Sequence, residues 1–302
     1  MGGIVHERRR ATSSDEEAEV APVLVACLGD VMLDVIVELP EGMSSDDDTP
    51  AEITFAAGGQ AANVATWVTA LGGRARVFGP RADTGPGHLV DDVLATQGVE
   101  VWGTTTGRTG AVVSLVTGGR RSMASDPGDL SWLDEVRSGA WLDGADWLFV
   151  SGYTLLRTPD PQRIVETAAV ARAHGSRVAV DLASAAMVSR FGADHFSALC
   201  QALRPSAVFA TDAEWDTSHG HFGAGGSTVL VLKHGDSGAS FVIDGVADDR
   251  PVQPGPVVDV TGAGDALAAG YLVGGADLAM RAAARCVAHR GAQPQVEPDA
   301  HA

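Results

Sequence analysis

Positive charge is scarce in this chain. Its 302 residues include 21 lysines and arginines against 39 aspartates and glutamates, which gives a formal net charge of −18 at pH 7. Only one lysine is present, Lys233. Because proteins that bind nucleic acid or anionic membranes need a basic surface to neutralise phosphates, this composition argues against both partners. A site that handles phosphate therefore needs a local source of positive potential, such as a helix N-terminus, a cation or a few basic side chains.

Cysteines are few, and long apolar runs are missing. The three cysteines, Cys27, Cys200 and Cys286, are far apart, which predicts free thiols in a reducing cytoplasm rather than a disulfide framework. No apolar stretch reaches the roughly 18–20 residues that a membrane-spanning helix requires. The first residues lack the apolar core of a secretory signal, so we expect a disordered N-terminal tail at 1–20 and a flexible C-terminal tail at 293–302.

The order of apolar segments predicts an α/β fold. With 45% hydrophobic residues, the chain is expected to form one large domain over residues 21–292. The nearly continuous apolar run at 23–30 is typical of a strand buried on both faces. In the second half strands alternate with helices, which favours right-handed crossovers and a parallel sheet. Segments at about 31–56 and 109–124 interrupt this alternation and predict a small antiparallel lid. Beyond the lid, the predicted strands are 23–30, 76–78, 99–102, 147–151, 177–181, 207–210, 228–233 and 239–244, and the predicted helices are 60–71, 87–97, 161–174, 194–203, 263–273 and 276–289.

The most informative segment is Asp259-Val-Thr-Gly-Ala-Gly-Asp265, which follows an apolar run and opens a helix. Glycines at a helix N-terminus leave backbone N–H groups uncovered, and the helix dipole adds to their attraction for an anion. A carboxylate at Asp265, beside such an anion, is suited to accept a proton from an attacking hydroxyl. A tight strand-to-helix turn with an aspartate cap accounts for the same residues equally well.

Two motifs resemble signatures of the ribokinase-like (PfkB) family of carbohydrate kinases. Residues 259–265 are similar to the family's C-terminal D-T-x-G-A-G-D. Upstream, Gly58-Gly-Gln-Ala-Ala-Asn-Val-Ala65, continuing to Ala70-Leu-Gly72, is similar to its N-terminal G-G-x-x-x-N-x-A-x-x-x-x-x-L-G. Two signatures in this order and spacing make coincidence implausible. The resemblance implies a three-layer α/β/α fold with a mainly parallel central sheet and a small β lid.

The resemblance also assigns roles around the C-terminal motif. It implies that Asp265 is the base that deprotonates the acceptor hydroxyl. It further implies that Thr261 lies at the cofactor and that Asp259 contributes, with Thr261, to a possible K⁺ site. The developing charge of the transferred phosphoryl group would be held by the amides of Gly262, Ala263 and Gly264.

The acceptor side of the site is predicted from the first third of the chain. Asn63 offers both a donor and an acceptor to hydroxyls. Asp34 lies among apolar neighbours, where an unpaired carboxylate is costly to bury, so we expect it to meet a polar ligand rather than to face solvent. The resemblance implies that Asp34, Gly58, Gly59 and Asn63 bind a sugar.

The nucleotide side is predicted from Lys233-His-Gly235-Asp-Ser-Gly238, which resembles the family's turn along ATP. Lys233 would reach phosphate oxygens as a point charge, although a plain hairpin explains Gly235 and Gly238 equally well. One motif departs from the family pattern N-x-x-E, because Thr211 replaces the asparagine, while Glu214 is retained. By resemblance, Glu214 helps to order water around Mg²⁺.

Together these residues predict an enzyme that moves the γ-phosphate of Mg-ATP to a hydroxyl of a small sugar or sugar derivative. A nucleoside kinase is the alternative, but 5% aromatic residues supply few candidates for a base pocket. A sugar- or nucleotide-sensing relative without turnover is the other alternative. We expect Arg120 and Arg121 to be solvated at a hairpin tip, with contact to an anionic group of the acceptor as the alternative. The resemblance also suggests a homodimer through the lid.

Overall fold

The structure is a computed structural model that describes residues 21–40, 42–103, 105, 107–118, 120–137, 139–219 and 228–295. The predicted N-terminal tail and residues 296–302 of the predicted C-terminal tail lie outside these residues. The strands are β1 (Leu24–Leu28), β2 (Met32–Glu38), β3 (Glu52–Gly58), β4 (Arg74–Phe78), β5 (Val99–Trp102), β6 (Gly110–Thr117), β7 (Arg120–Asp126), β8 (Trp147–Ser151), β9 (Arg177–Asp181), β10 (Ala207–Thr211), β11 (Val229–Lys233), β12 (Ala239–Ile243) and β13 (Val246–Arg250). The α-helices are α1 (Gln60–Ala70), α2 (Gly85–Thr96), α3 (Gly152–Arg157), α4 (Gln162–Ala173), α5 (Ala185–Phe191), α6 (Ala193–Leu203), α7 (Asp212–Thr217) and α8 (Ala263–Val287).

The main sheet has nine strands in the order β13-β12-β11-β10-β9-β8-β1-β4-β5. From β11 to β5 every neighbouring pair is parallel, whereas β12 and β13 add an antiparallel hairpin at one edge. The predicted mainly parallel central sheet is therefore confirmed. The hairpin strand β13 was not predicted, because its four exposed residues carry no alternation of apolar and polar side chains.

Helices cover both faces of this sheet. Alternate residues of β1 enter different cores, since successive side chains of a strand point to opposite faces. Val25 and Cys27 join the core formed with α1 and α8, whereas Leu24 and Leu28 join the core formed with α4 and α6. The predicted three-layer arrangement is confirmed. The three cysteines are free and buried, as predicted.

A second, four-stranded sheet forms the lid, in the order β3-β2-β6-β7. Its central pair, β2 and β6, is parallel, and the two outer pairs are antiparallel. The prediction of an antiparallel lid is thus wrong for the central pair. The reason is topological, because β2 follows β1 and β6 follows β5, and β1 and β5 run in the same direction in the main sheet.

Two further details differ from the prediction, and one agrees with it. The short helices α3, α5 and α7 were missed, because six or seven residues are too few to show a helical period. The two predicted C-terminal helices are confirmed, because non-helical backbone at Gly274 and Gly275 divides α8 into two helical stretches, 263–273 and 276–287. The packed chain extends past residue 292, since Pro294 is buried and Gln293 hydrogen-bonds to Gln97. Within the described ranges, no helix is both long and apolar enough to cross a bilayer.

Candidate active site

The carboxyl ends of the parallel strands bring polar side chains to one edge of the main sheet. Asp181, Thr211 and Lys233 are the last residues of β9, β10 and β11, three neighbouring strands. Thr211 and Lys233 are direct partners in the register. In open parallel sheets, ligands bind in the crevice outside this edge, so the topology itself points to a site here.

Asp265 lies in the first turn of α8, facing the first turn of α1. The Nδ2 of Asn63 donates a hydrogen bond of 2.9 Å to Oδ2 of Asp265. Gln60, whose Oε1 accepts a 2.6 Å hydrogen bond from Ser151, lies close enough to this carboxylate to lower its pKa. The structure therefore brings together Asp265 and Asn63, two predicted residues that are 202 positions apart.

The environment of Asp265 changes its acidity. Desolvation raises its pKa to about 7, and the charge of Asp181 acts in the same direction. The hydrogen bond from Asn63, the charge of Lys233 and the nearby Gln60 side chain lower the pKa and offset part of this rise. A carboxyl with a pKa near neutral pH is well matched to general base chemistry at that pH.

The glycine turn before Asp265 presents backbone amides to the same space. Gly262 caps α8 with φ of 78°, a conformation that glycine adopts without strain. Among the described residues, the amides of Gly262 and Gly264 have no hydrogen-bond partner, whereas the amide of Ala263 donates to the Val260 carbonyl at 3.3 Å. Two of the three predicted amides are therefore uncovered, at the positive end of the first helical stretch of α8, which runs from Ala263 to the break at Gly274.

Lys233 reaches this turn from β11. Its Nζ would lie 3.5 Å from a Cβ added at Gly264, so the absence of a side chain at Gly264 leaves room for the ammonium group. The Nζ also donates a hydrogen bond of 2.7 Å to Oδ2 of Asp181. Desolvation lowers the pKa of Lys233, but the charges of Asp181, Glu214 and Asp265 outweigh it, so that the pKa is raised and the ammonium remains charged.

Asp181 is a site residue that the sequence analysis missed. Its side chain is only 2% exposed, and its Oδ1 accepts a hydrogen bond from the Ala183 amide. Ala183 has φ of 70°, a strained conformation for alanine, and such strain clusters at functional sites. The available signal was an aspartate that ends a buried apolar strand.

Thr211 and Glu214 form a capping box at the start of α7. The Thr211 hydroxyl accepts from the Glu214 amide at 3.3 Å, and Oε2 of Glu214 accepts from the Thr211 amide at 2.8 Å. Glu214 is buried and lies close enough to Lys233 to influence its pKa. Threonine thus fills the N-cap position that asparagine, another good capping residue, has in the family pattern.

Asp34 projects from β2 toward Gly58 at the end of β3. Any Cβ at Gly58 would lie 2.3 Å from the Asp34 carboxyl group, so this close approach requires glycine. Oδ1 of Asp34 is buried without a hydrogen-bond partner among the described residues. Desolvation raises the pKa of Asp34 to about 6, and the nearby charge of Arg121 lowers it in part. A buried acceptor without a donor fits the predicted contact with a polar ligand.

Arg121 corrects one expectation. Arg120 is exposed, as predicted, but Arg121 is half-buried and extends from β7 of the lid to the glycine turn. Its Nη2 and Nε donate to Oγ of Ser114 at 2.7 and 3.2 Å, and its Nη1 donates to Oγ1 of Thr261. The lid and the segment before Asp265 are therefore connected directly, through a contact that depends on the curvature of the lid.

The remaining predicted residues stabilise the turns. Asp259 accepts three hydrogen bonds, two from Thr261 and one from the Gly291 amide. Burial alone raises the pKa of Asp259, but these hydrogen bonds and the charge of Arg121 hold it below its usual value. Gly59 is the N-cap of α1, and Gly235 and Gly238 bound the single turn between β11 and β12.

The residues fit a nucleotide phosphate better than a dedicated metal centre. Among the described residues, no group of three or more His, Cys, Asp or Glu side chains is placed to hold a metal ion. Mg²⁺ is commonly held by one or two carboxylates together with substrate phosphates, and Asp181 and Glu214 are carboxylates of that kind beside Lys233.

Comparisons with known proteins show the family and the fold of this chain. The sequence pattern described as pfkB family carbohydrate kinase matches residues 23–296. Similar solved structures include a probable sugar kinase from Rhizobium etli CFN 42, with 22% identity and a TM-score of 0.77 over 91% of this chain and 95% of that one. The adenosine kinase from Sinorhizobium meliloti has 24% identity and a TM-score of 0.74 over 91% and 96%.

A third similar structure is an uncharacterized sugar kinase from Pyrococcus horikoshii in complex with ATP, with 20% identity and a TM-score of 0.76 over 90% of this chain and 95% of that one. At such identities, these likenesses show the ribokinase-like fold alone. No curated protein matches this chain.

Proposed function

The chain belongs to the pfkB family of carbohydrate kinases, and on that premise we propose that it transfers the γ-phosphate of ATP to a hydroxyl of a small polyhydroxylated acceptor. The observation that carries this proposal is the Asp265 carboxylate. It is oriented by Asn63 and lies beside uncovered helix amides and the only lysine of the chain. Base, anion site and cation thus occupy one crevice, as phosphoryl transfer requires.

Asp265 acts as the base. With a pKa of about 7, it is substantially ionised at neutral pH and still has enough proton affinity to accept the hydroxyl proton as the oxygen attacks. Asn63 fixes the orientation of the carboxylate through the hydrogen bond to Oδ2. Because general base catalysis depends on this geometry, Asn63 is a positioning residue as well as a potential hydroxyl ligand.

The phosphoryl group is stabilised by the start of α8 and by Lys233. The free amides of Gly262 and Gly264 point at the developing negative charge, and Lys233 adds a full positive charge next to them. Asp181 holds Lys233 at this position. Magnesium, when bound with the nucleotide, supplies further charge neutralisation, and Asp181 and Glu214 are the residues that would hold it. Dependence on K⁺ through Asp259 stays a prediction.

The acceptor lies under the lid. Its hydroxyls donate to the unpartnered Oδ1 of Asp34, which otherwise has no compensation for its burial. Lid closure excludes water from the crevice, which strengthens the electrostatic contacts and suppresses ATP hydrolysis.

The proposal is tested by the Asp265→Asn variant. We expect kcat for ADP release to fall by about 10²–10⁴-fold, the usual contribution of a general base, while ATP affinity measured by calorimetry changes little. Asp277→Asn is the matched control, because Asp277 lies on α8 beyond the break at Gly274 and Gly275, is 72% exposed and contacts only Arg250 among the described ion pairs. Near-normal kcat in Asp265→Asn would refute the assignment of the base.

The acceptor panel separates the alternatives. It should contain sugars, sugar acids, sugar phosphates and nucleosides, each with and without potassium. Turnover of nucleosides alone would show that the acceptor is a nucleoside rather than a sugar. ATP binding without turnover of any acceptor would favour a sensing role.

We also propose that the protein forms a homodimer through the lid. The lid face opposite Asp34 carries the side chains of Val35, Ile53, Phe55 and Val113, because successive residues of a strand alternate between faces. Ile53 and Phe55 are 55% and 58% exposed, which is unusual for large apolar side chains that lie together on one sheet.

A further inference from the structure

Arg121 is the feature of the crevice that the proposed chemistry does not use. Its guanidinium has five N–H groups. Three of them donate to the hydroxyls of Ser114 and Thr261, and no carboxylate lies within ion-pair distance among the described residues. The side chain is half-buried, so a positive charge is held in the crevice with hydroxyl groups as its direct partners. Two N–H groups remain, one on each terminal nitrogen.

The position of Arg121 relates it to the acceptor rather than to the nucleotide. In the lid register, Asp34, Ser114 and Arg121 share one face of the sheet. Ser114, which holds the guanidinium, lies opposite Ile36, two residues along β2 from Asp34. Two residues of a strand span about 7 Å, a distance comparable to the length of a small sugar. An acceptor whose hydroxyls meet Asp34 therefore has its far end near Arg121.

We propose that the acceptor carries an anionic group, a carboxylate or a phosphate, and that Arg121 binds it. This inference rests on the proposed kinase function and names the substrate class of the same site. Terminal N–H groups of arginine match the paired oxygens of both anions, and such charge-assisted pairs are strong where water is largely excluded. Asp34 selects the hydroxylated part of the acceptor and Arg121 selects the acidic part.

Asp34 and Arg121 also affect each other electrostatically. Asp34 and Arg121 attract each other through space without a hydrogen bond between them. A neutral sugar would satisfy Asp34 and leave the positive charge of Arg121 without a direct anionic partner. An acidic sugar supplies hydroxyl donors to Asp34 and an anion to Arg121. The site therefore binds it more tightly than a neutral sugar, by the free energy of the contact with Arg121.

The first test compares acceptors that differ in one group. Gluconate and sorbitol differ by a carboxylate, and glucose 6-phosphate and glucose differ by a phosphate, so the two pairs distinguish the two anions. We expect kcat/KM to be at least tenfold higher for the acidic member of one pair. Equal or better use of the neutral members of both pairs would overturn the proposal.

The second test uses Arg121→Gln, with Arg120→Gln as the matched control. Arg120 is the adjacent residue of β7 and is exposed, so its removal changes the net charge equally without affecting the crevice. We expect Arg121→Gln to lower kcat/KM about 100-fold for the acidic acceptor and by a factor at least about ten times smaller for its neutral partner, whereas Arg120→Gln changes neither. An equal loss for both acceptors would show that Arg121 acts on the phosphoryl group or on the lid instead.

Direct binding separates failure of this inference from failure of the proposed function. The affinity of the full-length protein for the same four compounds, measured by calorimetry with and without ATP, requires no turnover. Arg121-dependent binding of an acidic compound without ADP release would retain the inference and reject the kinase activity. ADP release with neutral sugars alone would retain the kinase activity and reject the inference about Arg121.

Discussion

At the scale of single residues, two desolvated carboxyl groups control the chemistry of the crevice. The pKa of Asp265 is raised to about 7 and that of Asp34 to about 6, in both cases mainly by desolvation. Burial disfavours the charged form of an acid, so both groups remain protonated to a higher pH than they would in water. Both must be ionised to act as proposed, Asp265 to accept a proton and Asp34 to accept hydrogen bonds.

The pH dependence of turnover follows from these two values. We expect kcat/KM for a substrate that does not itself titrate between pH 5 and 9 to rise with pH and level off above about 7. The logarithmic slope should be one between pH 6 and 7 and approach two below pH 6, where Asp34 also becomes protonated. The pH profile of kcat/KM is measured from initial rates of ADP release at constant ionic strength. Activity independent of pH from 5 to 8 would contradict the assignment of both residues.

The sequence motifs predicted some residues of the site and not others, for a physical reason. Asp265 and Asn63 belong to short contiguous motifs in which glycines at a helix start impose a local geometry, and the structure joins them by a hydrogen bond. Asp181 and Arg121 have no such local signal. Their contacts depend on which strands are neighbours and on how the lid curves over the turn, and neither is encoded in adjacent residues.

At the scale of the secondary-structure elements, those with a signal in contiguous residues were predicted and those without such a signal were not. The strands β8 and β9 have the bounds that the apolar runs predicted, because a strand covered by helices on both faces needs a largely apolar sequence. The edge strand β5 also has the predicted bounds, although its Glu100 is exposed. The short helices α3 and α7 directly follow β8 and β10. The Thr211 side chain caps the start of α7, whereas α3 begins without a side-chain cap, and hydrophobic periodicity carries no information about either start.

The helix α7 depends on its capping box. We expect Thr211→Ala to lower the free energy of unfolding by about 1 kcal/mol, the usual cost of losing an N-cap, because the Glu214 amide loses its acceptor. Thr211→Ser keeps the hydroxyl, so its free energy of unfolding should stay close to that of the unsubstituted protein. Urea unfolding followed by circular dichroism measures both variants. An unchanged midpoint in Thr211→Ala would show that the box contributes nothing to stability.

At the scale of the whole molecule, the exposed apolar face of the lid determines the expected assembly. Phe55→Asp places a charge beside Ile53 on this face, and desolvating it in a dimer would be costly. We expect the unsubstituted protein to sediment as two chains and Phe55→Asp as one, in analytical ultracentrifugation at micromolar concentration.

The control for this prediction is Val246→Asp. Val246 is 73% exposed and lies on β13, at the edge of the main sheet rather than on the lid. This variant should remain dimeric. A single chain for the unsubstituted protein, or dissociation of both variants, would refute the lid as the interface.

The scarcity of lysine has a practical consequence for experiments on this molecule. Lys233 is the only lysine, and its ammonium group lies between Asp181 and the glycine turn. Protein produced with isotopically labelled lysine therefore carries one side-chain ammonium signal in a nuclear magnetic resonance spectrum, at the centre of the crevice and without any need for assignment. Its chemical shift reports directly on each ligand that enters, in a chain whose other positive side chains are all arginine or histidine.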